Sequence, residues 1–381
     1  MRKLLRVLPA AALALTTLST FSYGQHYNQT NLVSSTGASA DTDLINPWGM
    51  SRGSGSPWWI ADAGTGLSTL YMGDGTKITG LVVKVPGATA GSKGAPTGTI
   101  YNGNPKIFLI PGKSPAAAAF LFCTAEGTIS GWNNGAGTSA VIVAKGKKGS
   151  AYTGLTSATV DGESYLYAAN YTLGTVDIFN SKFKPATFTV GTYEPAPFTD
   201  DLLPPNYVPY NVQAIGNNIV VTYAYLPKGA GFPEGGLGLG YVDIYSASGY
   251  LKLHLDHGDW LNAPWGVALA PTDFGKFSHD LLIGNFANGH GGASDFSGTI
   301  AAYDLVTGHY EGQLEDAKGQ PIAIQGLWAI SPGNVSPANN INTASSPAAA
   351  LYFTAGPNGG SEGLFGYLTA VSTELVQGND Q

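Results

Sequence analysis

His254-Leu255-Asp256-His257-Gly258-Asp259 is the densest run of metal-ligating side chains in the chain. Imidazole and carboxylate together suit a transition-metal ion. Leu251, Leu253 and Leu255, however, alternate with Lys252, His254 and Asp256, which predicts an outer strand with its polar face in water. His257 then falls in the following turn. Asp62, Asn170 and Asn285 each end an apolar run just before a turn. Three oxygen-bearing side chains on one rim would suit Ca²⁺. The same residue types also bond their own backbone in turns, with no metal, and that is the favoured reading. Ser361 sits in Gly359-Gly360-Ser361-Glu362-Gly363, a formal nucleophile-elbow pattern, but that motif needs a strand-to-helix turn and this one is a glycine-rich hairpin. Cys123, the single cysteine, ends the apolar run Phe120-Leu121-Phe122 and reads as a buried, inert thiol. No P-loop, zinc-helix motif or EF-hand loop is present.

Aromatic residues offer a second kind of chemistry. Asn46-Pro47-Trp48-Gly49-Met50 and Ala263-Pro264-Trp265-Gly266-Val267 are two copies of one phrase. Each is followed by an apolar run closing on a polar residue (Asp62, Asn285), then by a glycine and a further run ending in Tyr71 or Tyr303. The pattern recurs six times in degenerate form. Gly66, Gly127, Gly174, Gly240, Gly298 and Gly363 open the third run of each copy. Their spacing leaves room for about four short strands per repeat, and radial repetition of four-stranded sheets is the propeller solution to unpaired strand edges. Thr175-Val176-Asp177-Ile178-Phe179 and Tyr241-Val242-Asp243-Ile244-Tyr245 alternate as such strands should. The expected fold is all-β, one six-bladed β-propeller over residues 25–381. Tyr27 to Ser34 precedes the first blade without a hairpin of its own, so it is expected to close the ring as the outer strand of the last blade.

Residues 1–24 read as a cleaved signal peptide: Arg2, Lys3 and Arg6, then an apolar stretch from Leu8 to Leu18, then small residues before Gln25. A secreted or periplasmic protein is the expectation, with no membrane span in the mature chain. Those 24 residues hold three of the 18 basic residues and none of the 25 acidic ones, so the remainder carries a net charge of −10, with Arg52 its one arginine. A nucleic-acid partner is excluded on charge. With no internal disulfide available, an apolar core must hold the fold.

The Pro-Trp-Gly phrases, the Ala61-Asp62-Ala63-Gly64-Thr65-Gly66 hairpin and the run from Gly127 to Asn133 resemble an uncharacterised family of secreted bacterial six-bladed propellers, some with a C-terminal sorting tail of the Pro-Glu-Pro (PEP-CTERM) type. This chain ends at Gln381 without that tail. More distantly it is similar to NHL-repeat and TolB-like propellers. In gluconolactonase-like propellers an amide side chain at the start of an inner strand helps to hold a divalent metal. The corresponding positions here are Trp48, Thr153, Trp265 and Gln325, with Tyr210 followed by Asn211 in the fourth repeat. This mostly aromatic ring departs from the lactonase pattern. Trp48, Tyr210, Asn211, Trp265, Gln325 and Trp328 are therefore the candidate ligand-binding residues at the channel mouth. The aromatics form either a stacking platform for a ligand or a plug between blades. The long loops at 195–209 and 226–239 could cover that mouth. The functional expectation is a monomeric binding or interaction module for a small molecule, glycan or envelope protein. The alternative is a metal-dependent hydrolase or lyase of the lactonase-like kind.

Overall fold

The computed structural model describes residues 25–189, 196–286, 298–333 and 349–372. The expected signal peptide, residues 1–24, lies outside them. Six four-stranded antiparallel sheets form a six-bladed β-propeller. Blade one runs from the inner strand Pro47–Ser51 through Trp58–Asp62 and Leu67–Tyr71 to Val83–Lys84. The inner strands of blades two to six are Pro96–Tyr101, Tyr152–Val160, Tyr207–Ile215, Pro264–Leu269 and Leu327–Pro332. Four of the six repeat-marking glycines (Gly66, Gly127, Gly174, Gly298) adopt φ between +63° and +75°, which a side chain would strain.

Each inner strand breaks register once near its start. Blade one skips from Pro47↔Asp62 to Met50↔Ile60, and blade five from Pro264↔Asn285 to Gly266↔Gly284. These bulges turn one residue per blade toward the propeller axis: Trp48, Thr97, Thr153, Tyr210, Trp265 and Trp328. A small residue usually follows. A Cβ on Gly49 would stand 2.7 Å from Thr97 O, and one on Gly98 would stand 2.6 Å from Leu155 N. Glycine there lets neighbouring inner strands approach backbone to backbone.

Closure uses the N-terminal strand, as the sequence leads one to expect. Tyr27–Ser34 pairs antiparallel with Leu364–Ala370, from Tyr27↔Ala370 to Ser34↔Leu364, and completes the sixth sheet. Tyr27 also reaches into blade five. Its N–H donates to Glu315 O (2.8 Å), its hydroxyl donates to Phe274 O (2.9 Å), and its ring packs 4.7 Å from Phe274. Among the described residues no helix is long and apolar enough to cross a membrane.

Asp280, beside this anchor, is pushed up to about 6, first by burial and then by the charges of Glu311 and Asp304. A carboxyl whose pKa rises on folding favours the fold while protonated. Its contribution is complete below the unfolded value near 3.8 and is lost as pH rises through about 6. Asp280→Asn should therefore flatten the stability profile between these values. At pH 7 it should gain about 1 kcal/mol, a figure kept small because the carboxyl is only half buried. Urea melts at pH 4 and pH 7 check this, and an unchanged difference between the two pH values would refute it.

Candidate functional site

At the mouth where the inner strands begin, the bulged aromatics meet. Trp328 lies stacked between Trp48 (3.4 Å, 19°) and Phe286 (3.9 Å, 21°). Trp265 stands edge-on to both indoles, 6.1 Å from Trp48 and 5.8 Å from Trp328. Tyr210 completes the ring at 6.4 Å from Trp48. Phe232, from the loop at 226–239, caps the group at 6.0–6.1 Å from Trp48, Tyr210 and Phe286. The loop at 195–209, where described, does not join this cap: Phe198 packs between Tyr167 and Tyr245.

Trp48, Trp265, Trp328 and Tyr210 are each 5% exposed or less. Two of the indole N–H groups tie blades together. Trp265 Nε1 donates to Thr153 O (2.9 Å), and Trp328 Nε1 donates to Asn46 Oδ1 (3.0 Å). Asn211 replaces the usual small residue, and its amide donates to Trp265 O at 2.7 Å, filling the step between blades four and five. Trp48 Nε1 and Tyr210 Oη have no hydrogen-bond partner among the described residues. Gln325 stands apart from the aromatic ring. Its Oε1 accepts from Asn358 N at 3.4 Å, and the bulge of blade six falls at Trp328 instead.

Asp62, Asn170 and Asn285 are fully buried within their own blades. Asp62 Oδ2 accepts from Thr69 N (3.0 Å) and Thr69 Oγ1 (2.8 Å). Asn170 accepts from Ala151 N and donates to Ser150 Oγ and Asp177 Oδ2. Asn285 accepts from Asn262 N and donates to Trp260 O. Each braces the segment leading into its blade or the neighbouring strand, so the three serve turns within separate sheets. Ser361 Oγ donates to Asn358 O in a tight turn. Burial pushes the Cys123 thiol up to about 11, which leaves it protonated and inert.

Beyond the aromatic layer the channel opens. A cavity of about 600 Å³ runs from Trp265 and the residues after the bulges to the far ends of the inner strands. Its wall mixes Met50, Leu155, Val267 and Ile330 with hydroxyl and amide residues. Arg52 is the one charged side chain on that wall among the described residues. Its Nη2 donates to Pro332 O (3.0 Å), joining blade one to blade six, and the guanidinium lies 4.6 Å over the Trp58 ring. Its Nε is buried without a partner, and among the described residues no carboxylate pairs with it. Burial lowers its pKa, yet a guanidinium keeps its charge. Sequence reading noted Arg52 only as the one arginine left after residue 24. Its position at the end of an inner strand was the available signal.

No family model matches the chain. It is similar to two uncharacterized proteins of Acanthamoeba polyphaga mimivirus. With R648 it shares 27% identity over 314 residues, 80% of this chain and 72% of that protein. With L690 it shares 27% over 304 residues, 77% of this chain and 75% of that protein. Among solved structures, a protein of unknown function from Bacteroides thetaiotaomicron VPI-5482 superposes with a TM-score of 0.52 at 11% identity, covering 91% of this chain and 76% of that one. That likeness is one of fold, and the chain is a six-bladed propeller with relatives of uncharacterised function.

Proposed function

We propose that this propeller is a binding module that takes a small organic anion into the open half of its channel. The observation carrying the reading is an arginine that, among the described residues, has no carboxylate partner and is the one charged side chain on the wall of a cavity of about 600 Å³. Ligand pockets typically span ~300–1,000 Å³ and use a few polar groups on an apolar wall. A guanidinium there favours a carboxylate or phosphate. Ser51, Thr99, Gln213 and Ser331 would suit a hydroxylated body, and the aliphatic side chains its apolar face. A metal-dependent hydrolase reading is less well supported, since hard cations want oxygen ligands and no carboxylate lines this wall among the described residues.

Titration calorimetry with sugar acids and sugar phosphates beside their neutral parent sugars tests the proposal. Anions should bind more tightly than neutral parents. Arg52→Gln should weaken them by about 10–100-fold, the scale of one charged hydrogen bond. Equal binding of charged and neutral compounds, or an unaffected Arg52→Gln protein, would remove the basis for the reading. Export belongs to the same proposal: the sequence of residues 1–24 supports a secreted or periplasmic species, whose purified N-terminus should be Gln25. Retention of Met1 on a cytosolic protein would count against it.

A further inference from the structure

We infer that Asp200, Asp243 and His254 form a binding site for a divalent transition-metal ion on the outer side of blade four, away from the channel. The ligand atoms come from three segments. Asp243 lies on the third strand, Gly240–Ser246. His254 lies directly opposite it on the outer strand, Leu251–His254. Asp200 arrives from the loop before the blade, which Phe198 anchors through its N–H to Gly249 O (2.9 Å) and its ring against Tyr245 (5.3 Å).

His254 Nδ1 and Asp243 Oδ1 share a hydrogen bond, and with Asp200 Oδ2 they stand close enough together to serve as ligands of one ion. His254 Nδ1 lies 3.0 Å from Asp243 Oδ1 and 3.4 Å from Asp200 Oδ2, and all three atoms fall within 4.8 Å of one another. A tetrahedral ion with bonds of ~2.0–2.1 Å sets its ligands roughly 3.3 Å apart. The second oxygen of each carboxylate is engaged elsewhere. Asp243 Oδ2 accepts from Tyr245 Oη (3.1 Å), and Asp200 Oδ1 accepts from Leu202 N (2.8 Å). These bonds turn the remaining oxygens toward the imidazole, as outer-shell partners do around metals. Both aspartate side chains are almost wholly buried, at 3% and 2% exposure, whereas His254 is 42% exposed and leaves the site open to solvent.

Two buried carboxylates facing each other need a compensating cation. Among the described residues the one ion-pair partner of Asp200 Oδ2 is the His254 imidazole at 3.4 Å, which Asp243 shares. A divalent ion held between the two carboxylates would supply that charge. One nitrogen and two oxygens suit Zn²⁺ or Mn²⁺ better than Ca²⁺, which favours six to eight oxygens. The metal-ligand run noticed in the sequence thus contributes His254 alone. Its partners are 54 and 11 residues upstream in the chain.

The test is metal titration of chelator-treated full-length protein with Zn²⁺, Mn²⁺ and Ca²⁺ by calorimetry, together with Co²⁺ absorption to report nitrogen ligation. One Zn²⁺ per chain should bind, more tightly than Ca²⁺, with visible Co²⁺ bands. His254→Gln and Asp243→Asn should each weaken Zn²⁺ binding by about a hundredfold, and Tyr245→Phe by about tenfold through the outer shell. His254 is exposed and the Asp243 change keeps side-chain shape. A thermal melt without metal confirms that each variant folds. Absence of saturable binding, or equal Zn²⁺ affinity in the wild-type and variant proteins, would overturn the site.

Discussion

Trp328→Ala is expected to destabilise the protein by about 3–5 kcal/mol, the range for removing a large buried aromatic side chain. Trp328 is 1% exposed and is covered on both faces, by Trp48 and by Phe286. Deleting it leaves a cavity that the rigid inner strands cannot close, because glycines already hold those strands at backbone contact. It also strands Asn46 Oδ1, which accepts the indole N–H. Trp48→Ala and Trp265→Ala should fall in the same range. Trp328→Phe should cost less, since stacking survives and only the N–H bond and part of the area are lost. Denaturant melts measure all four. A loss under ~1 kcal/mol for the alanine variants would instead support the ligand-platform reading, because exposed stacking surfaces can be removed without harm to the fold. The burial of all four ring members favours the plug.

Removing residues 25–35 should abolish the cooperative fold, and this is the largest effect expected. The deletion takes away the whole outer strand of blade six and leaves Leu364–Ala370 as a bare edge. It also removes Tyr27, which is 2% exposed and packs against Phe274 and Phe277 of blade five. Tyr27→Ala alone should cost about 3–5 kcal/mol through cavity and lost hydrogen bond. A permuted chain separates closure from chain order. Val371 N donates to His26 O at 2.9 Å, so residues 25–35 attached by a short turn after Ala370–Ser372 could re-form the same pair. The deletion should aggregate or melt without a transition, while the permutant should melt cooperatively near wild type. A stably folded deletion would show that closure rests on blade-to-blade packing alone.

Much of this architecture was legible because it repeats. The Pro-Trp-Gly phrases, the recurrent glycines and the alternation around Asp177 and Asp243 each report a local rule, namely a bulge, a hairpin or a half-buried strand. The solitary N-terminal strand was legible by elimination, since Tyr27 to Ser34 had no hairpin partner nearby. Sequence could not decide between plug and platform, because Trp48 is covered by Trp328 and Phe232, which lie far from it in the chain. In blade six, Gln325-Gly326 imitates the small-residue step after Trp48, whereas the bulge is carried by Trp328-Ala329. The open half of the channel left no motif. Its wall is built from ordinary strand residues, and only their convergence gives Arg52 significance. Asp200, Asp243 and His254 share no spacing signature either, because a loop anchored by Phe198 brings the first of them home.

The pairing of Tyr27–Ser34 with Leu364–Ala370 also bears on the order of events during synthesis. Tyr27–Ser34, the earliest of the described strands to be synthesised, needs the latest of them as its partner. Until the sixth blade is made, the growing chain is an open arc with two unsatisfied ends, and contacts so distant in sequence form slowly. Closure is therefore a late and single event, unavailable to any nascent fragment however long. A chain that must stay unlatched until it is complete is one that could still be threaded elsewhere before it locks.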